Sequence, residues 1–276
     1  NRLRMNDITP IYIFDGIPDK LKQDTINTRK NKLIVKHNKI ETLKKELQNT
    51  TDVSKLSEIH NKINNIDNKI ISVTKDDIYL VKCLFDLLNI KYIQAQGEAD
   101  LLCSKLCSTN IVDFIISEDM DLLTSGTKLL VRDFNIYNNK ITVYNLSKIL
   151  EQLNITYEKW VELCIMLGCD YLKRINGIGP KKSFKYIKEQ NDIISIVNNL
   201  KSKNIGISEN YIEEFNKSKK LFMNYNMDYL KNTDNLVKIE KLYDNQLDNI
   251  KQFIFKYTKL TEKQFLNRIK NIYNNI

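Results

Sequence analysis

Histidine is nearly absent from this sequence, and its scarcity narrows the possible chemistry. Only His37 and His60 occur among 276 residues, and both lie in a Lys-rich segment away from the acidic clusters described below. A Ser-His-Asp triad and a His-ligated zinc site are therefore poor hypotheses. No two of the five cysteines have C-x-x-C spacing, and their neighbours are apolar, which predicts buried free thiols in a reducing compartment: Cys83, Cys103, Cys107, Cys164 and Cys169.

Glycine, proline and long apolar runs are also scarce. Seven Gly and three Pro in a chain of this length favour helices over turn-rich β structure. No apolar run reaches the length of a membrane span, and the N-terminus has no signal peptide. We expect a soluble, intracellular protein, whose hydrophobic content of 42% suffices for one large domain or two small ones.

Positive charge is in excess and is concentrated in one segment. The formal net charge is +9, and residues 20–75 hold thirteen Lys or Arg against six Asp or Glu. Within that segment, apolar residues step by three and four from Leu56 to Ile70 and again from Ile40 to Leu47. Turn and N-cap residues at 49–52 separate the two stripes. We predict two packed antiparallel helices that present Lys to solvent, either as a surface for a polyanion or as a solvated hairpin without a partner.

Short, dense apolar runs alternate with helical stretches outside this segment. Ile11–Phe14 and Ile111–Ile116 read as buried parallel strands, with shorter candidates at Tyr92-Ile93 and Leu129–Val131. Helical patterns lie between them, and from about residue 156 the pattern is helical to the end. This alternation predicts an α/β fold with a parallel sheet and helices on both faces, in which ligands bind at the carboxyl ends of strands.

Carboxylates cluster at those strand ends and at the start of two helices. A lone Asp after a strand more often caps a helix than binds a metal, but acidic pairs at i,i+2 are more telling, because like charges held close need a cation or a proton between them. Oxygen ligands without His or Cys suit Mg²⁺ or Mn²⁺ better than zinc. Acidic loops that only aid solubility remain the alternative for these residues: Asp15, Glu98, Asp100, Asp119, Asp121 and Asp170.

The segment Gly177–Lys182 fits the turn of a helix-hairpin-helix. Its apolar-Gly-apolar-Gly pattern would let the backbone approach closely, so that N–H groups and a helix N-terminus contact phosphates without reading sequence. A tight turn between two helices, with no ligand, explains the pattern equally well.

Taken together and in order, these motifs resemble the flap endonuclease family. Asp100 stands where the family usually has Glu, and the match runs from residue 1 to about 190 before it weakens. The matching blocks are Tyr12-Ile13-Phe14-Asp15-Gly16 followed by Pro18, Gly97-Glu98-Ala99-Asp100, Glu118-Asp119-Met120-Asp121-Leu122-Leu123-Thr124, and Leu167-Gly168-Cys169-Asp170-Tyr171 followed by Ile175-Asn176-Gly177-Ile178-Gly179-Pro180-Lys181.

The resemblance implies a PIN-like fold in which helices flank a parallel sheet. It also implies a helical arch insertion and a C-terminal helix-hairpin-helix (H2TH) region. On this basis we expect an α/β nuclease core at residues 1–155, with the arch at 19–76, and a helical DNA-binding region at 156–276.

The resemblance assigns a role to each matching residue. Two Mg²⁺ ions, which Mn²⁺ can replace, would be held by Asp15, Glu98 and Asp100 on one side and by Asp119, Asp121 and Asp170 on the other. Lys22 and Arg29 match basic residues at the base of the arch, which would neutralise the scissile phosphate. The implied catalytic set is Lys22, Arg29, Asp15 and Asp121, and the hairpin residues expected to hold duplex DNA are Gly177, Gly179, Lys181 and Lys182.

The implied activity is structure-specific cleavage of DNA by a 5′ flap endonuclease or 5′–3′ exonuclease in replication and repair. The expected partner is branched or flapped double-stranded DNA, the expected state is a monomer, and no membrane is involved. Whether the compartment is nuclear, cytoplasmic or viral stays open. The alternatives are a 5′ exonuclease of the exonuclease 1 branch, which Gly168–Leu172 favours, and a DNA-binding relative without catalysis.

Three departures from the family pattern accompany this resemblance. The family begins with a strand that carries another metal-ligand Asp and a helix with a stacking Tyr, and the residues before Ile11 match neither. On that expectation the chain lacks this part of the fold and would fold poorly by itself. Arg174 stands where the family's hairpin has a hydroxyl that binds K⁺. No clamp-binding pattern precedes Ile276, which leaves sliding-clamp binding undecided.

Overall fold

The structure, a computed structural model, describes residues 3, 6–50, 52–68, 70, 72–134, 140–228, 230 and 245–273. The chain forms two compact units, of which the first comprises Asn1–Leu21 with Lys82–Ile276 and the second Lys22–Val81. Residues 274–276 lie outside the described part.

The second unit is a helical hairpin. α1 (Gln23–Gln48) and α2 (Val53–Asp67) pack on each other through the buried side chains of Ile40, Leu43 and Ile59. Asp52 caps α2, because its side chain accepts a hydrogen bond from the backbone N–H of Ser54. The prediction of two packed helices with a capping turn between them is confirmed. α3 (Lys75–Leu87) begins in this unit and ends in the other.

Five short strands form two hydrogen-bonded groups within the described residues. The predicted parallel pairing is confirmed for β1 with β2, where Phe14 lies opposite Gln94, and for β3 with β4. β5 was not predicted and runs antiparallel to β4. The bounds are β1 (Ile11–Phe14), β2 (Lys91–Gln94), β3 (Ile115–Ile116), β4 (Leu129–Arg132) and β5 (Thr142–Asn145).

The predicted strand at Ile111–Ile116 is wrong in its first half. The N–H groups of Ile111 and Val112 both donate to the carbonyl of Leu106, so these residues close the end of a helix. Their side chains pack around that helix end in an apolar cluster with β1 and β2. Only Ile115 and Ile116 pair with β4, because helix closure uses the earlier residues.

A groove of about 620 Å³ lies between the two groups of strands. Residues of β1 line one side of it, and the segment that leads into β3 lines the other. Asp100 and Cys103 also line this groove. The single parallel sheet expected from the sequence is therefore divided, among the described residues, into two separately hydrogen-bonded parts.

Helices surround the strands and make up the rest of the first unit. The largest apolar cluster is built around Val161, Ile165 and Phe215, each fully buried. The remaining bounds are α4 (Ala99–Ser108), α5 (Asp121–Thr124), α6 (Leu146–Leu153), α7 (Tyr157–Leu167), α8 (Pro180–Glu189), α9 (Ile193–Ser202), α10 (Tyr211–Met223), α11 (Asn245–Tyr257) and α12 (Glu262–Tyr273). All five cysteines are free thiols, as predicted, but only Cys107 is fully buried and the other four are partly exposed. Among the described helices, none combines the length and apolar character that crossing a membrane needs.

Candidate active site

Asp15 lies directly after β1, where the chain runs very close to the segment that follows β2. The N–H of Gly16 donates to the carbonyl of Gly97 at 2.6 Å, and a side chain at position 16 would place its β-carbon 2.2 Å from the carbonyl oxygen of Ala95. Only glycine fits such an approach. Asp15 Oδ1 accepts a hydrogen bond of 2.9 Å from the N–H of Ala99, the first residue of α4. The carboxylate thus lies at the N-terminus of α4, where the helix dipole favours negative charge.

Glu98 and Asp100 occupy the start of the same helix. Glu98 is the N-cap residue and is only 8% exposed, while Asp100 lies in the first turn. The buried hydroxyl of Tyr171 donates a hydrogen bond to Glu98. Burial, reinforced by the negative charge of Glu98, raises the pKa of Tyr171, so this phenol stays protonated and keeps donating. Tyr171 therefore joins the Asp170 motif to the Glu98 motif.

Asp119 and Asp121 form the turn between β3 and α5. Asp119 Oδ1 accepts from the N–H of Asp121 at 2.9 Å, and the N–H of Asp119 donates to Ser117 Oγ at 3.1 Å. Glu118, their neighbour in sequence, is engaged elsewhere: its carboxylate lies 3.3 Å from the guanidinium of Arg132. Within this acidic motif the structure therefore separates Glu118 from the two aspartates.

Two partly buried thiols, Cys103 and Cys169, lie close to carboxylates of both groups. Burial raises the pKa of Cys103 to about 12, and the charges of Asp100 and Asp15 add to that effect. Burial likewise raises the pKa of Cys169 to about 11, with contributions from Asp121 and Asp170. Asp15 thus shares a neighbour with Asp100, and Asp121 shares one with Asp170. Sequence motifs far apart in the chain meet here in two groups.

Buried and partly buried hydrogen bonds tie together the helices that carry these motifs. Ser104 on α4 bonds to Thr127 Oγ1 at 2.8 Å, just after α5. From α7, the indole N–H of Trp160 donates to the carbonyl of Leu123 at 3.2 Å, and the hydroxyl of Tyr157 donates to that of Thr124 at 2.9 Å. These bonds hold α5 against both α4 and α7, and no local sequence pattern predicts them.

The predicted hairpin turn lies between α7 and α8. Ile175 and Ile178 are buried, whereas Gly177 has a φ of +77° and lies exposed between them. Nothing approaches within 4 Å of where a β-carbon on Gly177 or Gly179 would be. Gly179 is the N-cap residue of α8 and Pro180 its first residue. Buried Ile175 and Ile178 therefore hold the turn in place, while the face that carries Gly177 and Gly179 is open to solvent.

The basic residues predicted near the chemistry are divided between the two units. Lys181 and Lys182 are exposed in the first turn of α8, and the Lys182 ammonium donates to the carbonyl of Gly177 at 3.1 Å. Lys22 and Arg29 belong to the helical unit, where Lys22 is the N-cap residue of α1 and Arg29 lies about two turns further along.

The donor chemistry of the first unit suits a hard cation. Its six predicted ligands are carboxylates, and both histidines of the chain lie on helices of the other unit. In the described ranges, no three or more His, Cys, Asp or Glu side chains are already close enough to hold one ion. The predicted ligand set thus stays a prediction at the level of individual residues.

Comparison with known proteins shows which family the chain is similar to. Residues 89–170, which span β2 to Asp170, match the family model of the XPG I-region. The chain is 32% identical over 213 residues to flap endonuclease 1 of Aedes aegypti, covering 76% of this chain and 53% of that one. It is 37% identical over 195 residues to flap endonuclease 1 of Enterocytozoon bieneusi, covering 70% and 51%.

This chain is a relative of the XPG/Rad2-type flap endonucleases. It spans about half the length of the curated flap endonucleases it matches. Solved structures agree on the fold: the catalytic core of Rad2 in complex with DNA substrate superimposes with a TM-score of 0.68 at 20% identity, covering 98% of this chain and 81% of that one. Flap endonuclease-1 from Methanococcus jannaschii gives 0.66 at 21% identity, covering 100% and 78%.

A third solved structure is described with metal ions. The Holliday junction-resolving enzyme GEN1, in complex with product DNA, Mg²⁺ and Mn²⁺ ions, has a TM-score of 0.62 at 18% identity, covering 99% of this chain and 61% of that one. The PIN-like α/β fold expected from the sequence is confirmed by these likenesses.

Proposed function

We propose that this chain carries the catalytic and duplex-binding parts of a structure-specific DNA nuclease that hydrolyses phosphodiesters at 5′ flaps. The convergence of carboxylates carries the proposal. Asp15, Glu98 and Asp100 gather at the start of α4, and Tyr171 connects Glu98 with the segment that bears Asp170. Acidic residues kept only for solubility would not be drawn from distant motifs to one end of the strands.

Divalent ions fit this arrangement by donor chemistry. Asp15, Glu98 and Asp100 would hold one Mg²⁺, and Asp119, Asp121 and Asp170 a second; Mn²⁺ can replace either. Cys103 and Cys169 lie beside these carboxylates, but thiol sulfur is a soft ligand and does not suit Mg²⁺. When bound, such ions activate water and neutralise charge on the phosphodiester.

The protein's own groups would orient the DNA. Lys22 and Arg29 would neutralise the scissile phosphate as fixed positive charges. Gly177 and Gly179 would admit a phosphate to the open face of the hairpin turn, and Lys181 and Lys182 would add charge beside it. Because these contacts involve the backbone of DNA, the enzyme would select substrates by structure and not by sequence.

Cleavage of a 5′-labelled double-flap DNA by the intact protein tests the proposal, in Mg²⁺ and in Ca²⁺. We compare Asp121→Asn with Glu118→Gln, a matched control in the same motif whose carboxylate pairs with Arg132 at the surface. Glu118→Gln is expected to cut normally, since an exposed ion pair contributes about 0–1 kcal/mol. Asp121→Asn is expected to bind the flap and not cut it.

The substrates separate the remaining alternatives. Junction cutting that needs Mg²⁺ and is lost in Asp121→Asn supports a flap endonuclease of replication and repair. Preference for a nick or a blunt end over the flap would assign the protein to the 5′ exonuclease branch. Tight binding of DNA by the wild type without cutting in Mg²⁺ or Mn²⁺ would identify the protein as a DNA-binding relative without catalysis.

A further inference from the structure

The side chain of Gln94, the last residue of β2, reaches across to the chain segment that carries Asp15. Its Nε2 donates a hydrogen bond of 2.6 Å to the carbonyl oxygen of Asp15 and makes a longer contact of 3.4 Å to that of Phe14. Phe14 is the residue opposite Gln94 in the ladder. The amide therefore extends the pairing of β1 and β2 by one side-chain bond, at the point where Asp15 leaves the strand.

Lys82 on α3 holds the other end of this amide. Its ammonium lies 2.6 Å from Gln94 Oε1 and 4.8 Å from the centre of the Phe14 ring. An ammonium only donates hydrogen bonds, so the amide oxygen must face Lys82 and the NH₂ group must face the Asp15 carbonyl. The aromatic ring restricts where the ammonium can lie. Lys82 thus selects the orientation in which Gln94 can hold Asp15.

Asp15 is consequently held at two points. Gln94 holds its main-chain carbonyl, and the N–H of Ala99 binds its carboxylate at 2.9 Å. The first contact sets where the backbone leaves β1, and the second sets where the carboxylate lies relative to the start of α4. A ligand of a metal ion must be placed within a few tenths of an ångström, so loss of either contact would be felt at the ion.

We propose that Gln94, oriented by Lys82, is a positioning residue that places Asp15 for metal binding. The inference rests on the proposed function, because it assumes that Asp15 is a metal ligand. A purely structural latch is the competing explanation. Gln94 is exposed to solvent, so water can replace its hydrogen bonds in a variant at little cost to the fold. If Gln94 positions Asp15, replacing it should therefore lower the affinity for the metal ion and leave the stability of the fold nearly unchanged.

The test measures Mn²⁺ binding to the intact protein without DNA, by titration calorimetry, together with the melting temperature. The variants are Gln94→Met and Lys82→Met, with Asp15→Asn as reference and Gln252→Met, an exposed glutamine on α11, as matched control. Gln94→Met is expected to weaken Mn²⁺ binding by about 10- to 100-fold, the usual effect of losing support behind a ligand. Its melting temperature should match that of the control.

Lys82→Met gives the sharper result, because loss of charge and loss of positioning predict opposite changes in the affinity for Mn²⁺. Removing a positive charge near the site would tighten binding of a cation, because a like-charge repulsion is lost, whereas losing the anchor of Gln94 would weaken it. Weaker binding in both variants at an unchanged melting temperature supports positioning. Unchanged or tighter binding, or a loss that parallels a lower melting temperature, overturns it. If Asp15→Asn also binds Mn²⁺ normally, the metal role of Asp15 fails as well, and the two failures are thereby distinguished.

Discussion

The close approach of β1 to the segment after β2 can be tested by one methyl group at Gly16. In Gly16→Ala the new β-carbon would lie 2.2 Å from the carbonyl oxygen of Ala95 and 2.4 Å from that of Gln96. Both are main-chain atoms, so no side-chain rotation relieves the overlap. The chain must separate there, although φ at Gly16 is not in the left-handed region.

The cost follows from the contacts that separation breaks. Two hydrogen bonds cross the gap, from Gly16 to Gly97 at 2.6 Å and from Ile17 to Gln96 at 3.0 Å. Each contributes about 0.5–1.5 kcal/mol, and forcing a methyl group into packed structure costs about 1–3 kcal/mol. We expect the free energy of unfolding to fall by about 2–6 kcal/mol, a large part of the roughly 5–15 kcal/mol that stabilises a typical protein.

Urea unfolding of the intact protein, followed by circular dichroism, measures this difference. Gly206→Ala is the matched control, because nothing lies within 4 Å of its β-carbon position and its φ is not positive. That variant should be neutral or more stable by up to about 1 kcal/mol, since alanine restricts the unfolded chain. If Gly16→Ala stays within about 0.5 kcal/mol of Gly206→Ala, the close approach does not exist, and the placement of Asp15 derived from it is wrong.

Further predictions concern the surroundings of the site. Burial raises the pKa of Cys103 and of Cys164 to about 12 and that of Cys169 to about 11. At pH 8 a disulfide reagent should therefore label these three thiols only as the protein unfolds. Rapid labelling of the native protein would contradict their burial. The hydrogen bond and charge of Lys219 lower the pKa of Glu158, so this pair stabilises the fold above the ordinary Glu pKa and is lost as pH falls through the lowered value. At low salt, Lys219→Met should therefore lose less stability than wild type between about pH 5 and 3, and equal acid sensitivity would argue against the pair. Tyr171→Phe should destabilise the protein by about 1–3 kcal/mol, since Glu98 loses a buried donor. Tyr211→Phe should be neutral, because that buried hydroxyl makes no hydrogen bond to the described residues, and equal losses in the two variants would refute the role of Tyr171.

Local patterns were good guides to the elements that bear the candidate site. The acidic block Glu118–Thr124, recognised from its residues alone, contains the whole of α5 (Asp121–Thr124). The apolar stripes around Ile40 and Ile59 identified the hairpin of α1 and α2, because helix periodicity is visible in a short window of sequence. The same reasoning failed at Ile111, whose apolar side chain satisfies a strand pattern but packs against the end of α4. Hydrophobicity alone does not say which neighbour a side chain will meet.

Sequence by itself determined the chemical character of this protein: its carboxylates, its scarce histidines, its glycine-containing turn and the order of its motifs follow from residue identity and spacing along the chain. Only the tertiary structure decided how those motifs meet. The bond from Gln94 to Asp15 joins residues 79 positions apart, and that from Ala99 joins residues 84 apart. Neither Gln94 nor the donor role of Tyr171 had a local signal. Such contacts depend on which strands pair and which helices pack. The free energy that brings distant segments together comes from the whole core, so no single segment of sequence encodes it.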